Sequence, residues 1–237
     1  MNFKSIKIIL ISSECKTAMS SGFVEAPYVV NDIIPDVNGL HILDVGIGYG
    51  FWGWVVKAWK AGKCQLTGVE INDHYISLQD KLNIYNEIIP MDIRTGLTKF
   101  KDNSFDLIMM SHVIEHIEKD TAFKVIEQLK RICRGRLIIL CPEGNALVYK
   151  GRKGRKFEHD YHLSMWRASD FEKLGFNVKQ FRFSHRAGRV VSWFERIWYF
   201  LKRKDRGGVL AAWWDHDITS KPSPEAEDML SPIIRVT

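Results

Sequence analysis

The chain has no paired cysteines and no long apolar run. Cys15, Cys64, Cys133 and Cys141 are widely spread and form no C-x-x-C pair. That spacing argues against a disulfide framework or a zinc knuckle and points to a reducing compartment. No stretch approaches the roughly 18 apolar residues of a membrane-spanning helix. The apolar core Ile8–Ile11, which follows Lys4 and Lys7, is too short for a signal peptide. These absences predict a cytoplasmic protein. Internal repeats and low-complexity tracts are also missing. What remains is 237 residues of ordinary globular composition, enough for one domain with a sizeable core.

Residues 41–53, HILDVGIGYGFWG, carry the most information. An apolar strand holding Asp44 runs into Gly46, Gly48 and Gly50, with Gly53 beyond. Glycine permits positive φ and close approach of backbone to a ligand. Gly48, Gly50 and Gly53 spell G-x-G-x-x-G, the dinucleotide fingerprint, and Glu70 lies where a ribose-binding acid belongs. In a dinucleotide site, however, the glycines bring a helix N-terminus to a pyrophosphate, and a fixed anion just upstream would oppose it. Asp44 is such an anion. It favours a ligand with an ammonium or sulfonium group.

The order D-x-G-x-G-x-G resembles motif I of the class I S-adenosylmethionine-dependent methyltransferases. Further landmarks follow in sequence: a second strand ending at Glu70 in CQLTGVEIND, Asp92 and Ile93 in IIPMDIR, a fourth strand in NSFDLIMMSHVIEH, and a fifth in RLIILCPEG. The segment His162–Phe183 is similar to the family's late helix, Gly-Phe turn and sixth strand. The resemblance spans roughly residues 25–184. It implies a Rossmann-like α/β fold, a doubly wound and mostly parallel sheet with helices on both faces. It implies S-adenosyl-L-methionine as cofactor, held by Asp44, Gly46, Ile47, Gly48, Gly50, Glu70, Ile71, Asp92, Ile93 and Ser111. In the family the acid at Glu70 takes the ribose hydroxyls, and the acid at Asp92 takes the adenine amine. Strand ends in such sheets line one crevice.

Charge divides the chain. Residues 124–206 hold 21 Lys and Arg against 8 Asp and Glu, while the whole chain is only +6. The dense runs Lys150–Lys156 and Lys202–Arg206 suit an anionic partner, with a solvated surface as the plain alternative. Between the runs, Gly188–Lys204 has a broad apolar stripe of Val190, Val191, Phe194, Ile197, Trp198 and Leu201 when drawn as a helix. An aromatic, basic amphipathic helix suits a membrane surface, but most amphipathic helices are docked on their own domain or in a homodimer, and that reading comes first. Val209–Trp214 fits a lid over substrate or more interface. The sequence thus divides into a methyltransferase domain over 1–187, an amphipathic helical extension over 188–220 and a loose tail over 221–237. A helical pattern after Phe183 leaves the family's seventh, antiparallel strand open.

A sulfonium methyl is already activated, so catalysis needs an aligned nucleophile and, for a hydroxyl acceptor, a base. His112, at the end of strand four, is the candidate base, with a structural histidine as the alternative. His162, in the cluster EHDYHL with His159 and Tyr161, is the second candidate. His112, Glu115 and His116 share one face at helical spacing and are types that ligate metals. Quinone-biosynthesis O-methyltransferases, which resemble the chain here, use this segment for a metal. The same Glu-His pair is widespread in relatives without one, and no metal is expected. The N/D-P-P-Y/F element of exocyclic-amine nucleic-acid methyltransferases is absent, and Cys141-Pro142 reverses the Pro-Cys order of carbon-5 pyrimidine enzymes. The expected acceptor is therefore the oxygen of a small or lipid-like molecule. An RNA acceptor, a nicotinamide-dependent oxidoreductase and a non-catalytic cofactor-binding protein are the alternatives.

Overall fold

Strand β1 (His41–Val45) is buried at every position after the first, as an apolar run covered on both faces should be. The computed structural model describes residues 25–59, 63–144, 162–182 and 208–216. Around β1 are β2 (Gln65–Glu70), β3 (Glu87–Pro90), β4 (Phe105–Ser111) and β5 (Cys133–Glu143), each parallel to its neighbour. With β6 (Asn177–Arg182) and β7 (Gly208–Asp215) they form one seven-stranded sheet in the order β3-β2-β1-β4-β5-β7-β6. The order reverses at β1, so the crevice beyond the carboxyl ends of β1 and β4 is the place where ligands bind in such sheets.

Two apolar layers sandwich the sheet. On one face, α5 (Lys119–Ile132) turns Ala122, Val125, Ile126, Leu129 and Ile132 inward, the stripe that its sequence spacing predicts. These residues pack with Leu43, Val45, Ile108, Leu137 and Ile139 of the strands, and with Trp166 and Phe171 at α6 (Ala168–Glu172). On the other face lie α1 (Ala26–Tyr28) and α2 (Phe51–Trp54), each continued by a π-helical stretch (Val29–Ile33 and Val55–Trp59). They cover Ile42, Leu66, Leu107, Met109, Ile138 and Leu140. The remaining helices, α3 (Asp73–Leu82) and α4 (Ile93–Gly96), begin at side-chain caps from Asn72 and Asp92.

Val209–Trp214, expected as a lid or an interface, is instead strand β7, antiparallel to both β5 and β6. Gly208–Ala212 is fully buried because both faces and both edges of the strand are covered. Leu210 and Ala212 belong to one apolar layer and Ala211 to the other. VLAAWW reads as a continuous apolar run for that reason, with none of the alternation that marks a half-exposed strand. The seventh strand that the sequence left open is therefore present, and the sheet extends past the 1–187 boundary. Residues 188–204, 217–237 and both dense basic runs lie outside the described residues. Among the described residues, no helix is long and apolar enough to cross a membrane.

Candidate functional site

The glycine loop leaves β1 at Val45 and enters α2 at Phe51. Gly46, Gly48 and Gly50 have φ of 74°, 47° and 76°, in the left-handed region that glycine adopts at little cost. Gly46 also meets a steric demand, since a Cβ there would lie 2.2 Å from Val113 Cγ2. Gly48 differs: among the described residues a Cβ there would meet only Gly46 O, at 4.0 Å, so that side of the loop is open with respect to them. Gly53, the last glycine of the fingerprint, serves neither purpose. A Cβ there would lie 2.6 Å from the Tyr85 hydroxyl, so Gly53 makes room for a tyrosine.

Tyr85 is a site residue that the sequence reading missed. Its ring crosses the face of β2 at Gly68, whose missing side chain admits it, and its hydroxyl donates to Asp44 Oδ2 at 2.6 Å. Asp44 is buried at the carboxyl end of β1. Burial pushes its carboxyl up to about 6, with Glu70 adding to the rise and the Tyr85 hydrogen bond opposing it. Burial and the neighbouring Asp44 push the Tyr85 phenol upward, so it stays a donor. The two glycines that vacate its path, Gly53 and Gly68, were the available sequence signal.

Glu70 closes the other side of the loop. It is 7% exposed, yet its oxygens accept three backbone N–H bonds: Gly48 N at 3.0 Å on Oε2, and Ile71 N at 2.9 Å and Asn72 N at 3.0 Å on Oε1. A carboxylate held this way is fixed in orientation and keeps lone pairs for hydroxyl donors. Ile71 beside it is 40% exposed, an apolar surface next to the acid. Asp92 caps α4 through Arg94 N, and its carboxylate is also gripped by the Arg94 guanidinium at 2.6 Å. Arg94 was not among the expected residues. Ile93 packs partly buried against the core next to it.

At the end of β4, Ser111 pairs with Leu140, and His112 follows with φ of 55°, its amide donating to Leu140 O at 2.8 Å. This turn places the ring between two buried carboxylates. His112 Nδ1 lies 3.3 Å from Glu115 Oε1, and Nε2 lies 3.8 Å from Glu25 Oε1. Burial alone would lower the imidazole pKa, but Glu115 and Glu25 together lift it to about 9. Burial would raise the Glu115 carboxyl, and His112 instead holds it below the usual range. Glu25, at the start of α1, is fully buried, and neither of its oxygens has a hydrogen-bond partner among the described residues.

His162 arrives from the other direction. Leu163 N and Ser164 N both donate to Glu115 O, which stitches residues 162–166 onto the turn Ile114–His116. The His162 ring therefore stands against His116, with centroids 4.9 Å apart. Glu115, His116 and His162 bring ligand atoms within 4.8 Å of one another. Of the expected trio His112, Glu115 and His116, the first is thus the counter-charge of Glu115, and His162 takes its place in the cluster. An imidazolium beside Glu115 disfavours a divalent ion on the same carboxylate. His159 and Tyr161 lie outside the described residues.

The cradle fits a ligand that lies against bare backbone at Gly48, offers hydroxyls to Glu70 and brings positive charge near Asp44. Residues 43–141 match the family model described as a methyltransferase domain. No curated protein matches in sequence. Among solved structures, the chain is similar to a SAM-dependent methyltransferase from Archaeoglobus fulgidus, at 19% identity and TM-score 0.56, covering 81% of this chain and 91% of that one. It is similar to an S-adenosylmethionine-dependent methyltransferase from Mesorhizobium loti, at 16% identity and TM-score 0.53, covering 82% and 99%. A phosphoethanolamine N-methyltransferase from Haemonchus contortus, in complex with phosphomonomethylethanolamine and S-adenosylhomocysteine, is 18% identical with TM-score 0.52, covering 81% of this chain and 52% of that one.

Proposed function

We propose that the chain is a class I S-adenosylmethionine-dependent methyltransferase that methylates an oxygen of a small or lipid-like acceptor, a reading supported by the methyltransferase-domain match over residues 43–141 and by the fold. The observation that carries this reading is the open side of Gly48, flanked by the buried carboxylates Asp44 and Glu70. In this reading Gly46, Ile47, Gly48 and Gly50 form the backbone wall of the cofactor site. Asp44 attracts the cationic end of the cofactor, and Glu70 accepts its ribose hydroxyls. Ile71 and Ile93 flank the adenine, Asp92 accepts from its amine, and Ser111 closes the edge at β4. When bound, S-adenosylmethionine supplies a methyl group already activated on a sulfonium sulfur.

His112 is the group we assign to the acceptor proton. Its Nδ1 faces Glu115 at 3.3 Å, and we assign Nε2 as the nitrogen that receives the proton. Nε2, on the other side of the ring, lies 3.8 Å from Glu25 Oε1. His112 Nε2 would take the proton of the acceptor hydroxyl, with Glu115 and Glu25 balancing the imidazolium formed. Bound S-adenosylmethionine would supply the methyl group and leave as the neutral thioether S-adenosylhomocysteine. His162 acts from the rim of the same cluster, positioning His116 and Glu115. The basic runs Lys150–Lys156 and Lys202–Arg206 favour an anionic acceptor, with residues 188–204 as a peripheral membrane contact or a dimer contact.

The test is transfer of radiolabelled methyl from S-adenosylmethionine to separated small-molecule, lipid and RNA fractions of a lysate. Label in the small-molecule or lipid fraction as an O-methyl product supports the reading. Label confined to RNA, or recovered only as an N-methyl product, overturns the acceptor assignment while leaving the enzyme class intact.

A further inference from the structure

Behind the glycine loop, away from its open side, stands Gln79 of α3. It is the only buried residue of that helix, and it is fully buried. Its Nε2 donates to Gly48 O at 3.0 Å. The N–H of the same glycine donates to Glu70 Oε2, also at 3.0 Å. Gly48 is thus held by both of its polar atoms, from α3 on one side and from the end of β2 on the other. The carboxamide also lies flat against the loop, because a Cβ on Gly50 would lie 2.3 Å from Gln79 Oε1 and 2.8 Å from its Cδ and Nε2.

For the fold alone, glutamine is a poor choice at this position. Gln79 Oε1 is buried with no hydrogen-bond partner among the described residues, and an orphaned amide oxygen costs stability. A methionine of similar length would fill the space without that cost. What glutamine offers, and methionine lacks, is the N–H aimed at Gly48. That contact matters only if the orientation of the Gly48 peptide matters.

We propose that Gln79 is a positioning residue for the cofactor. It holds the Gly48–Tyr49 peptide through Gly48 O while Glu70 holds the Ile47–Gly48 peptide through Gly48 N–H, so that Gly48 is clamped from both sides with its open side toward the ligand. Gln79 acts on the loop, through Nε2 to Gly48 O and by packing on Gly50. The proposal rests on the reading of this loop as the cofactor site.

S-adenosylhomocysteine is titrated by calorimetry into the full chain as wild type, Gln79→Met, Gln79→Glu and Glu70→Gln, and each protein is melted without ligand. Gln79→Met is expected to weaken binding roughly threefold to tenfold, with a melting temperature equal to or above wild type. Gln79→Glu keeps the shape but sets a carboxylate against Gly48 O, and is expected to weaken binding further. A merely structural role gives the opposite pair of results, a lower melting temperature with unchanged affinity in the folded fraction. Affinity of Gln79→Met within twofold of wild type overturns the proposal. Absent binding by wild type, or wild-type affinity in Glu70→Gln, overturns the site reading instead and this proposal with it.

Discussion

The Tyr85 hydroxyl donates a 2.6 Å hydrogen bond to the buried carboxylate of Asp44, from 41 residues farther along the chain. The bond sets the charge of the site, because it is the main contact opposing the effect of burial on Asp44. Tyr85→Phe removes the donor and leaves the space filled. The variant is expected to lose about 1–3 kcal/mol of stability, read from denaturant unfolding, and to bind S-adenosylhomocysteine more weakly at pH 7. Full affinity in Tyr85→Phe would remove the role given to this bond.

Cofactor affinity should depend on pH through Asp44. Its carboxyl sits near 6 in the folded chain against 3.8 ordinarily, so the folded protein holds this proton more tightly. Without ligand, the contribution of Asp44 to stability therefore declines as pH rises from about 4 to about 6. A cationic ligand prefers the ionised form, so affinity should climb as pH rises through about 6 and then level off. Calorimetry with S-adenosylhomocysteine between pH 5 and 8 measures this, and a flat profile would separate Asp44 from the ligand's charge.

Asp44→Asn keeps the size and an acceptor oxygen but removes the charge. Loss of a charge-assisted contact predicts roughly tenfold to hundredfold weaker cofactor binding, and the step near pH 6 should vanish with it. If Asp44→Ala binds as tightly as wild type, the assignment of Asp44 fails.

His112 makes a prediction with the opposite sign. Its folded pKa of about 9 stands above the ordinary 6.5, so its contribution to stability is complete below about 6.5 and is lost as pH rises through about 9. Melting temperature should fall between pH 7 and 10 in wild type and fall less in His112→Gln. Methyl transfer should rise over the same interval as the ring becomes neutral. With the labelled acceptor fraction, His112→Gln is expected to reduce turnover about 10²-fold to 10⁴-fold while binding S-adenosylhomocysteine normally. Unchanged turnover would return His112 to a structural role.

The Glu115, His116 and His162 cluster should behave as a hydrogen-bonded and charged group without an ion. Treatment with a strong chelator is expected to leave melting temperature and cofactor affinity unchanged. A chelator-induced drop in either, reversed by one divalent ion, would reassign the cluster as a metal centre.

The parts of the site that were legible in the sequence are local ones. Asp44, the glycines and Glu70 follow one another along β1, the loop and β2, so spacing alone orders them. Tyr85 was not legible, because its partner lies across two strands and only the gaps at Gly53 and Gly68 record its path. Glu25 and Gln79 were hidden for a similar reason: each reaches the site from the inner side of a helix, where a polar residue looks like any other in sequence. In the fold, β1, β2, β4 and β5 could be read from short apolar runs, and β6 only from the resemblance of His162–Phe183 to the family's late strand. β7 could not, because a strand inserted between two others is apolar on both faces and has no distinguishing period.

The insertion of β7 also fixes two anchor points. Arg182, the last residue of β6, pairs with Gly208, the first of β7, and Gly208 pairs in turn with Glu143 at the end of β5. Trp166 bridges to Glu143 as well. The chain therefore departs after Gly144 and after Arg182, and rejoins at 162–166 and at Gly208, all along the edge where the carboxyl ends of the parallel strands lie. Both intervening stretches are rooted in the rim beside the glycine loop proposed to hold the cofactor, with their end points fixed by strand pairing. Sequence can vary between those roots without altering the register of a single described strand, so under the proposed function this rim is where the same scaffold is refitted for different acceptors.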